Sequence, residues 1–104
     1  MANSIIDIIK EELHKQIQGK IKKIILYGSY ARNSFRSDSD IDILLIMESK
    51  IDESLRKQIY GICYDLNSMY DIWIDISLLS EDDLGTIRGK QPFVQNALVE
   101  GIVL

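Results

Sequence analysis

Tyr27-Gly28-Ser29-Tyr30-Ala31-Arg32-Asn33-Ser34-Phe35-Arg36-Ser37-Asp38-Ser39-Asp40-Ile41-Asp42 is the stretch that decides the fold. The apolar run Ile24-Ile25-Leu26 leads into Gly28-Ser29, and Asp40-Ile41-Asp42 opens the next apolar run. Gly28 lets the backbone approach a charged ligand with no Cβ in the way. Two aspartates two apart on a strand point to one face, their Cα atoms about 6.6 Å apart at a rise of about 3.3 Å per residue. With Asp38 just upstream, negative charge gathers where a strand enters a core. Like charges that close are costly unless a cation sits between them. Mg²⁺, held by one or two carboxylates plus substrate phosphates, resolves the conflict. The two features together point to a triphosphate and its metal. The competing reading is an ordinary turn rich in Ser, Asp and Asn between two strands. At about 5–7% usage per residue type, however, this spacing arises by chance on the order of once per thousand chains of this length.

Outward from that stretch, residues 22–27 predict a first strand whose apolar end implies burial on both faces. Gly28-Ser29 turns it into a short helix through about Asn33, with backbone N–H groups pointing outward at its start. Residues 41–47 predict the second strand, with Ile41, Ile43 and Leu45 opposite the face of Asp40 and Asp42. Upstream, Ile5, Ile9, Leu13 and Ile17, with Ile6 beside them, predict an amphipathic helix over 4–18. Asn3 or Ser4 would cap it and Gly19 would end it. Downstream, Leu55, Ile59, Ile62, Leu66 and Met69 form one stripe of a helix over 52–68. Gly61 inside that helix costs about 1 kcal/mol against Ala, which close packing on the sheet would explain. A third strand spans 72–79, with Ile72, Ile74, Ile76 and Leu78 on one face and Trp73, Asp75, Ser77 and Leu79 on the other. Ser80 suits the cap of a short acidic turn, Glu81 to Leu84. Pro92 suits the first turn of a last helix that runs to about Glu100 and stops at Gly101. The order of elements predicts an α/β fold, a small mixed β-sheet flanked by helices.

The 104 residues suit one domain, 1–104, with a modest core. The formal net charge of −4 argues against a grip on long DNA or RNA, which calls for a basic face. A mononucleotide with its metal is compatible, because the metal cancels the carboxylates. The single Cys, Cys63, excludes an internal disulfide, and its apolar helical setting makes it core filler. His14 has no second His with which to share a metal. No apolar run reaches the roughly 20 residues that span a bilayer. The N-terminal region lacks the basic-then-apolar pattern of a secretory leader, so no membrane association and a cytoplasmic location are expected.

Gly-Ser, ten residues, then Asp-x-Asp resembles the signature of the nucleotidyltransferase superfamily that includes DNA polymerase beta. The short length and flanking residues are most similar to its minimal MNT-type branch. Gly28, Ser29, Ala31, Arg32, Ser37, Asp38, Asp40 and Asp42 carry the motif, and Asn33 departs from a frequent Gly in a turn that Asn tolerates. Ile74-Asp75-Ile76 resembles the strand bearing a third carboxylate, and Asn96 with Glu100-Gly101-Ile102-Val103-Leu104 resembles the family's closing segment. The resemblance implies a nucleotidyltransferase fold, ATP or another nucleoside triphosphate as donor, and two Mg²⁺ ions. Many MNT-type proteins act as the antitoxin of a HEPN-type ribonuclease, inactivated by AMP added to a tyrosine hydroxyl. Alternatives are a small-molecule enzyme of the aminoglycoside-modifying kind and a catalytically silent antitoxin that blocks the ribonuclease sterically. A chain this short leaves a bulky acceptor to be shaped by a partner or by a homo-oligomer.

Transfer of a nucleoside monophosphate by in-line attack assigns roles. Gly28 and Ser29 hold the triphosphate tail, and Asp40 and Asp42 hold the metals that clamp attacking and leaving oxygens. A third carboxylate completes the second metal site and acts as base. Asp75 lies mid-strand among apolar residues, where an unpaired carboxylate is expensive, whereas Asp71 at the strand entrance reads as a solvated turn residue. Resemblance and energetics both favour Asp75. The reading against it is an edge strand with that face in water, which Ser77 permits and Trp73 and Leu79 oppose. Arg32, one turn after Ser29, either reaches the triphosphate tail or pairs with Asp38. Arg36, Lys22 and Lys23 read as surface charges. Tyr27 is expected to pack, Tyr30 to lie part-exposed near the nucleotide, and Trp73 to serve as core or partner surface.

Overall fold

Three β-rich apolar runs meet in one sheet in the computed structural model, which describes residues 2–32 and 39–104 and only the backbone of residues 2–4. β1 (Ile21–Tyr27) pairs antiparallel with β2 (Ile41–Met47), and β3 (Ile74–Ser80) lies parallel to β2 on its other side. A short β4 (Ile102–Val103) closes the far side of β1 in antiparallel register, giving the order β3-β2-β1-β4. A parallel neighbour needs a crossover, and α3 (Glu53–Tyr70) supplies it between β2 and β3. Between β1 and β2, α2 (Gly28–Ala31) is a single turn.

Side-chain alternation along the central strands feeds two cores. Ile24, Leu26, Ile41, Ile43, Leu45 and Leu78 pack under α1 (Ala2–Gln16) and α3, against Ile9, Leu13, Ile59 and Ile62. Ile25, Leu44, Ile46 and Leu79 pack under Val94 and Ala97 of α4 (Pro92–Glu100) on the opposite face. Such residues each contribute about 1.5–3 kcal/mol on burial, and β2 is buried on both faces as a central strand should be. The α/β sandwich on a mixed sheet is the architecture expected from the sequence.

Local departures have local causes. α1 begins at Ala2, so Asn3 and Ser4 lie inside the helix instead of capping it, and Gly19 at φ 74° turns the chain into β1. Asp52 stays outside α3 and caps it, its carboxylate accepting the Leu55 N–H at 2.7 Å. Met69 is 70% exposed, so the apolar stripe ends at Leu66. Gly61 faces open space, and close packing on the sheet is not its reason. The short acidic turn begins one residue later than expected, with Glu81 at its N-cap, but Ser80 still braces it: its hydroxyl accepts the Asp83 N–H at 3.3 Å while the Asp83 carboxylate accepts the Ser80 N–H at 3.0 Å. These bonds start the 3-10 turn Asp82–Gly85. Gly101 allows α4 to run straight into β4, because a Cβ there would strike the Ala97 carbonyl and the Ile25 side chain.

Candidate active site

β1 ends in a turn that only glycine takes without strain. Gly28 sits at φ 72°, and a Cβ on it would collide with the Asp42 carboxylate. The two residues are thus built against each other, since Asp42 stands opposite Tyr27 in the β1–β2 register. The β2–β3 register then places Asp75 beside Asp42. Tyr27, Asp42 and Asp75 form one row across three strands, on the sheet face that carries α4.

Charge in that row is poorly satisfied. Asp42 is half-buried, and burial first, then the negative charges of Asp75 and Asp40 and a hydrogen bond shared with Asp75, raise its carboxyl pKa to about 6. Arg32 partly opposes this. Burial, with smaller help from Asp42 and Asp75, also raises the pKa of Tyr27, whose hydroxyl lies within hydrogen-bonding reach of Ser77. Among the described residues no three His, Cys, Asp or Glu side chains are gathered into a ready-made metal cage. Asp42 and Asp75 touch, while Asp40, one residue before β2, acts on Asp42 only through its charge. The donor chemistry nonetheless fits Mg²⁺, a hard cation that takes carboxylate oxygens and keeps positions for phosphate and water. A cation there would relieve the repulsion that now raises Asp42.

Beside the row a cavity of about 170 Å³ is lined by Tyr27, Gly28, Ala31, Arg32, Phe93, Asn96 and Glu100. The Phe93 ring lies 6.5 Å from that of Tyr27, tilted by 36°. Phe93, Asn96 and Glu100 were not expected to line a site. Their spacing of i, i+3, i+7 from Phe93 puts them on one face of α4, and that phase was the available signal. Arg32 reaches this cavity, so of its two expected roles the one near the triphosphate tail is open to it. Its pairing with Asp38 lies outside the described residues, as do Asn33, Arg36 and Ser37. α2 is a single turn, which leaves little helix dipole behind Ser29; the half-buried Ser29 and Tyr30 stand at its first residues.

Burial does not mark out Asp75. β3 is the edge strand, Asp75 is exposed, and Trp73 is 63% exposed, so neither belongs to a core. Register opposite Asp42 is what singles Asp75 out. Asp71 is the left-handed C-cap of α3 (φ 53°), a backbone role, and is exposed. Cys63 is buried, and burial raises its thiol to about 11. His14 is exposed. No helix of the described residues is long and apolar enough to cross a membrane.

A family model described as "Nucleotidyltransferase domain" matches residues 6–104. A relative from Methanocaldococcus jannaschii, named "Putative protein adenylyltransferase", is 35% identical over 92 residues, 88% of this chain and 86% of its own length. Spectinomycin 9-adenylyltransferase of Campylobacter jejuni is 33% identical over 72 residues, 65% of this chain but 28% of its own length. Among solved structures, a tri-AMPylated Shewanella oneidensis HEPN toxin in complex with MNT antitoxin superposes with TM-score 0.61 at 22% identity, over 99% of this chain and 71% of that one. A toxin–antitoxin with AMP-PNP gives 0.60 at 23% identity, over 91% and 68%. At these identities the structures speak for the fold, and they have the same fold as this sheet and its helices. With the sequence match spanning the row Gly28–Asp42–Asp75 and its cavity, the chain belongs to the nucleotidyltransferase domain family.

Proposed function

We propose that this protein is a Mg²⁺-dependent protein adenylyltransferase of the MNT antitoxin type, moving AMP from ATP to a tyrosine hydroxyl of a partner HEPN-type ribonuclease. The observation that carries the reading is the juxtaposition of Gly28, Asp42 and Asp75. Gly28 and Ser29 present backbone N–H groups to the triphosphate tail, which runs into the cavity toward Arg32. Asp42, with Asp40 beside it, is the carboxylate pair that holds Mg²⁺ against the phosphates. Divalent ions, when bound, neutralise charge on the attacking and leaving oxygens. Asp75 faces the acceptor, orients its hydroxyl and takes its proton. Tyr27, held toward Ser77, and Phe93 wall the cavity and exclude water from the α-phosphate. The names of the Methanocaldococcus relative and of the Shewanella complex support the acceptor and the partner.

The test is intact-mass measurement on a HEPN-type protein encoded beside this chain, co-expressed with it and supplied with ATP and Mg²⁺. The expected result is a gain of adenylyl groups on tyrosine. An unmodified partner whose ribonuclease activity is still blocked would instead mean a steric antitoxin. Transfer to an aminoglycoside without any protein acceptor would mean a small-molecule enzyme, the reading that the likeness to the Campylobacter protein supports.

A further inference from the structure

The edge of the sheet beside the candidate site is closed at both ends and open in the middle. Among the described residues β3 has a strand neighbour on one side only, β2. The Ile41 N–H donates to the Trp73 carbonyl at 2.8 Å, and the Glu81 N–H donates to the Met47 carbonyl at 2.8 Å. In a parallel ladder such bonds recur at every second residue. Trp73, Asp75, Ser77 and Leu79 therefore turn their backbone groups to β2, and Ile74, Ile76, Leu78 and Ser80 turn theirs outward. At one end Asn67 Oδ1 accepts the Ile74 N–H at 2.9 Å, and at the other Asp83 Oδ2 accepts the Ser80 N–H at 3.0 Å. Among the described residues nothing bonds to the N–H of Ile76 or Leu78. Exposed edges are usually blunted; this one is blunted only around a two-residue window.

Resting on the function proposed above, we propose that an extended segment of the acceptor protein adds to β3 through the backbone of Ile76 and Leu78 and so delivers its hydroxyl beside Asp75. Strands in a sheet lie about 4.8 Å apart, and Tyr27, Asp42 and Asp75 already occupy successive positions of one row. The next position in that row belongs to whatever pairs with β3, and its side chain shares the face of Asp75. Its neighbours along the segment point the other way, toward Tyr60, Tyr64, Ile72, Ile74 and Ile76, in a groove of about 720 Å³ beside β3 and α3 that also extends round the edge to Trp73 and Asp75. Main-chain bonds then supply affinity, and pockets for alternate side chains supply selectivity. The segment that fits alternates a hydroxyl-bearing residue with apolar ones. The acceptor is the occupant because the row runs from the nucleotide cavity at Tyr27 through Asp42 and Asp75 to this edge, so the next side chain in it stands beside the candidate site. In the reaction, the acceptor oxygen bonds to the α-phosphorus of ATP as the bond from that phosphorus to the bridging oxygen breaks. Pyrophosphate leaves, and the hydroxyl proton passes to the Asp75 carboxylate.

The probe is a capped peptide of alternating valine and threonine around one tyrosine, with two versions N-methylated at the two alternate sets of amides. With ATP and Mg²⁺ the peptide should gain AMP. One N-methylated version should react at least about tenfold more slowly, the loss expected from a broken main-chain bond, and the other should react normally. With a non-hydrolysable ATP analogue, the peptide should slow amide exchange at Ile76 and Leu78. Tyr64→Lys, at an exposed groove position, should weaken peptide transfer and leave Mg–ATP affinity unchanged. Equal behaviour of the two N-methylated peptides, or unaltered exchange at Ile76 and Leu78, overturns the inference. So does a dimer of this chain that protects those amides without peptide. Transfer to an intact partner without these strand signatures sinks strand addition but leaves the proposed function standing. If no acceptor is modified at all, the proposed function fails, and exchange at Ile76 and Leu78 alone decides strand addition.

Discussion

Asp42 and Asp83 are both carboxylates at strand ends on this sheet, and the fold treats them in opposite ways. Asp83 accepts the Ser80 N–H, donates its own N–H to the Ser80 hydroxyl and lies 3.5 Å from Arg88. Those hydrogen bonds, then Arg88, hold its pKa below the usual carboxylate range. Asp42 has the reverse surroundings, with burial, two neighbouring carboxylates and a raised pKa of about 6. A carboxylate that serves the fold is given partners. One left in repulsion is poised for something the chain itself does not contain, and such perturbed groups cluster at functional sites.

The contrast can be broken most forcefully at the site itself. Asp40→Asn with Asp42→Asn should lower AMP transfer by about 10³-fold or more, since the ions act directly on the transferred group. In EDTA the same variant should melt at or above the wild-type temperature, by up to about 1 kcal/mol once solvent screening is allowed for. Wild-type transfer by the double variant would sink the site. Next in size, Asp75→Asn should cut turnover by about 10²-fold with triphosphate affinity kept. Asp71→Asn should do far less, because Asn accepts the left-handed backbone equally well. Turnover and nucleotide titrations on both variants separate them, and a larger loss at Asp71 reverses the assignment.

Gly28→Ala comes third. It combines a positive φ with a collision against the Asp42 carboxylate, for an expected loss of about 2 kcal/mol in denaturant unfolding. The smallest effect sharpens the comparison by sign. The folded pKa of Asp83 is lowered, so its contribution is present above the unfolded carboxylate pKa and is lost as pH falls through the folded value. Asp83→Asn should therefore cost about 1 kcal/mol at pH 7 and little in acid. The folded pKa of Asp42 is raised, so the metal-free wild type should lose stability as pH rises from the unfolded value of 3.8 to about 6. Asp42→Asn should not show that loss. Melting curves of both variants across that range check the opposite slopes.

How much of this was legible in the sequence follows from how local each feature is. The Gly28–Ser29 turn, the Asp42 strand and the Pro92 start are set by residues within a few positions of each other, and all appear where expected. That β3 is an edge strand depends on which strands pair across the whole chain, and no window around Asp75 encodes it. Of the two arguments for Asp75 as the third carboxylate, the fold removes the one from burial and leaves the family resemblance, to which the register beside Asp42 is added. The phase of Phe93, Asn96 and Glu100 on α4 was legible, but that this face meets the end of β1 depends on tertiary packing that no local window encodes. Gly61 and Met69 were misread because a helix stripe of the right period does not show where the neighbouring surface ends.

β4 has a consequence for the order of events as the chain folds. β1 is hydrogen-bonded to β2, the next strand along the chain, but its other side waits for Ile102 and Val103, much further on. Closing long loops is slower than closing short ones. A chain emerging from the ribosome thus carries β1 with one row of backbone groups exposed until Ile102 and Val103 have been synthesised, and strand edges in that condition are where nascent chains stick to one another. During refolding, pulse-labelled amides that β1 shares with β4 should become protected after those it shares with β2, leaving a brief interval in which this small sheet has two open sides.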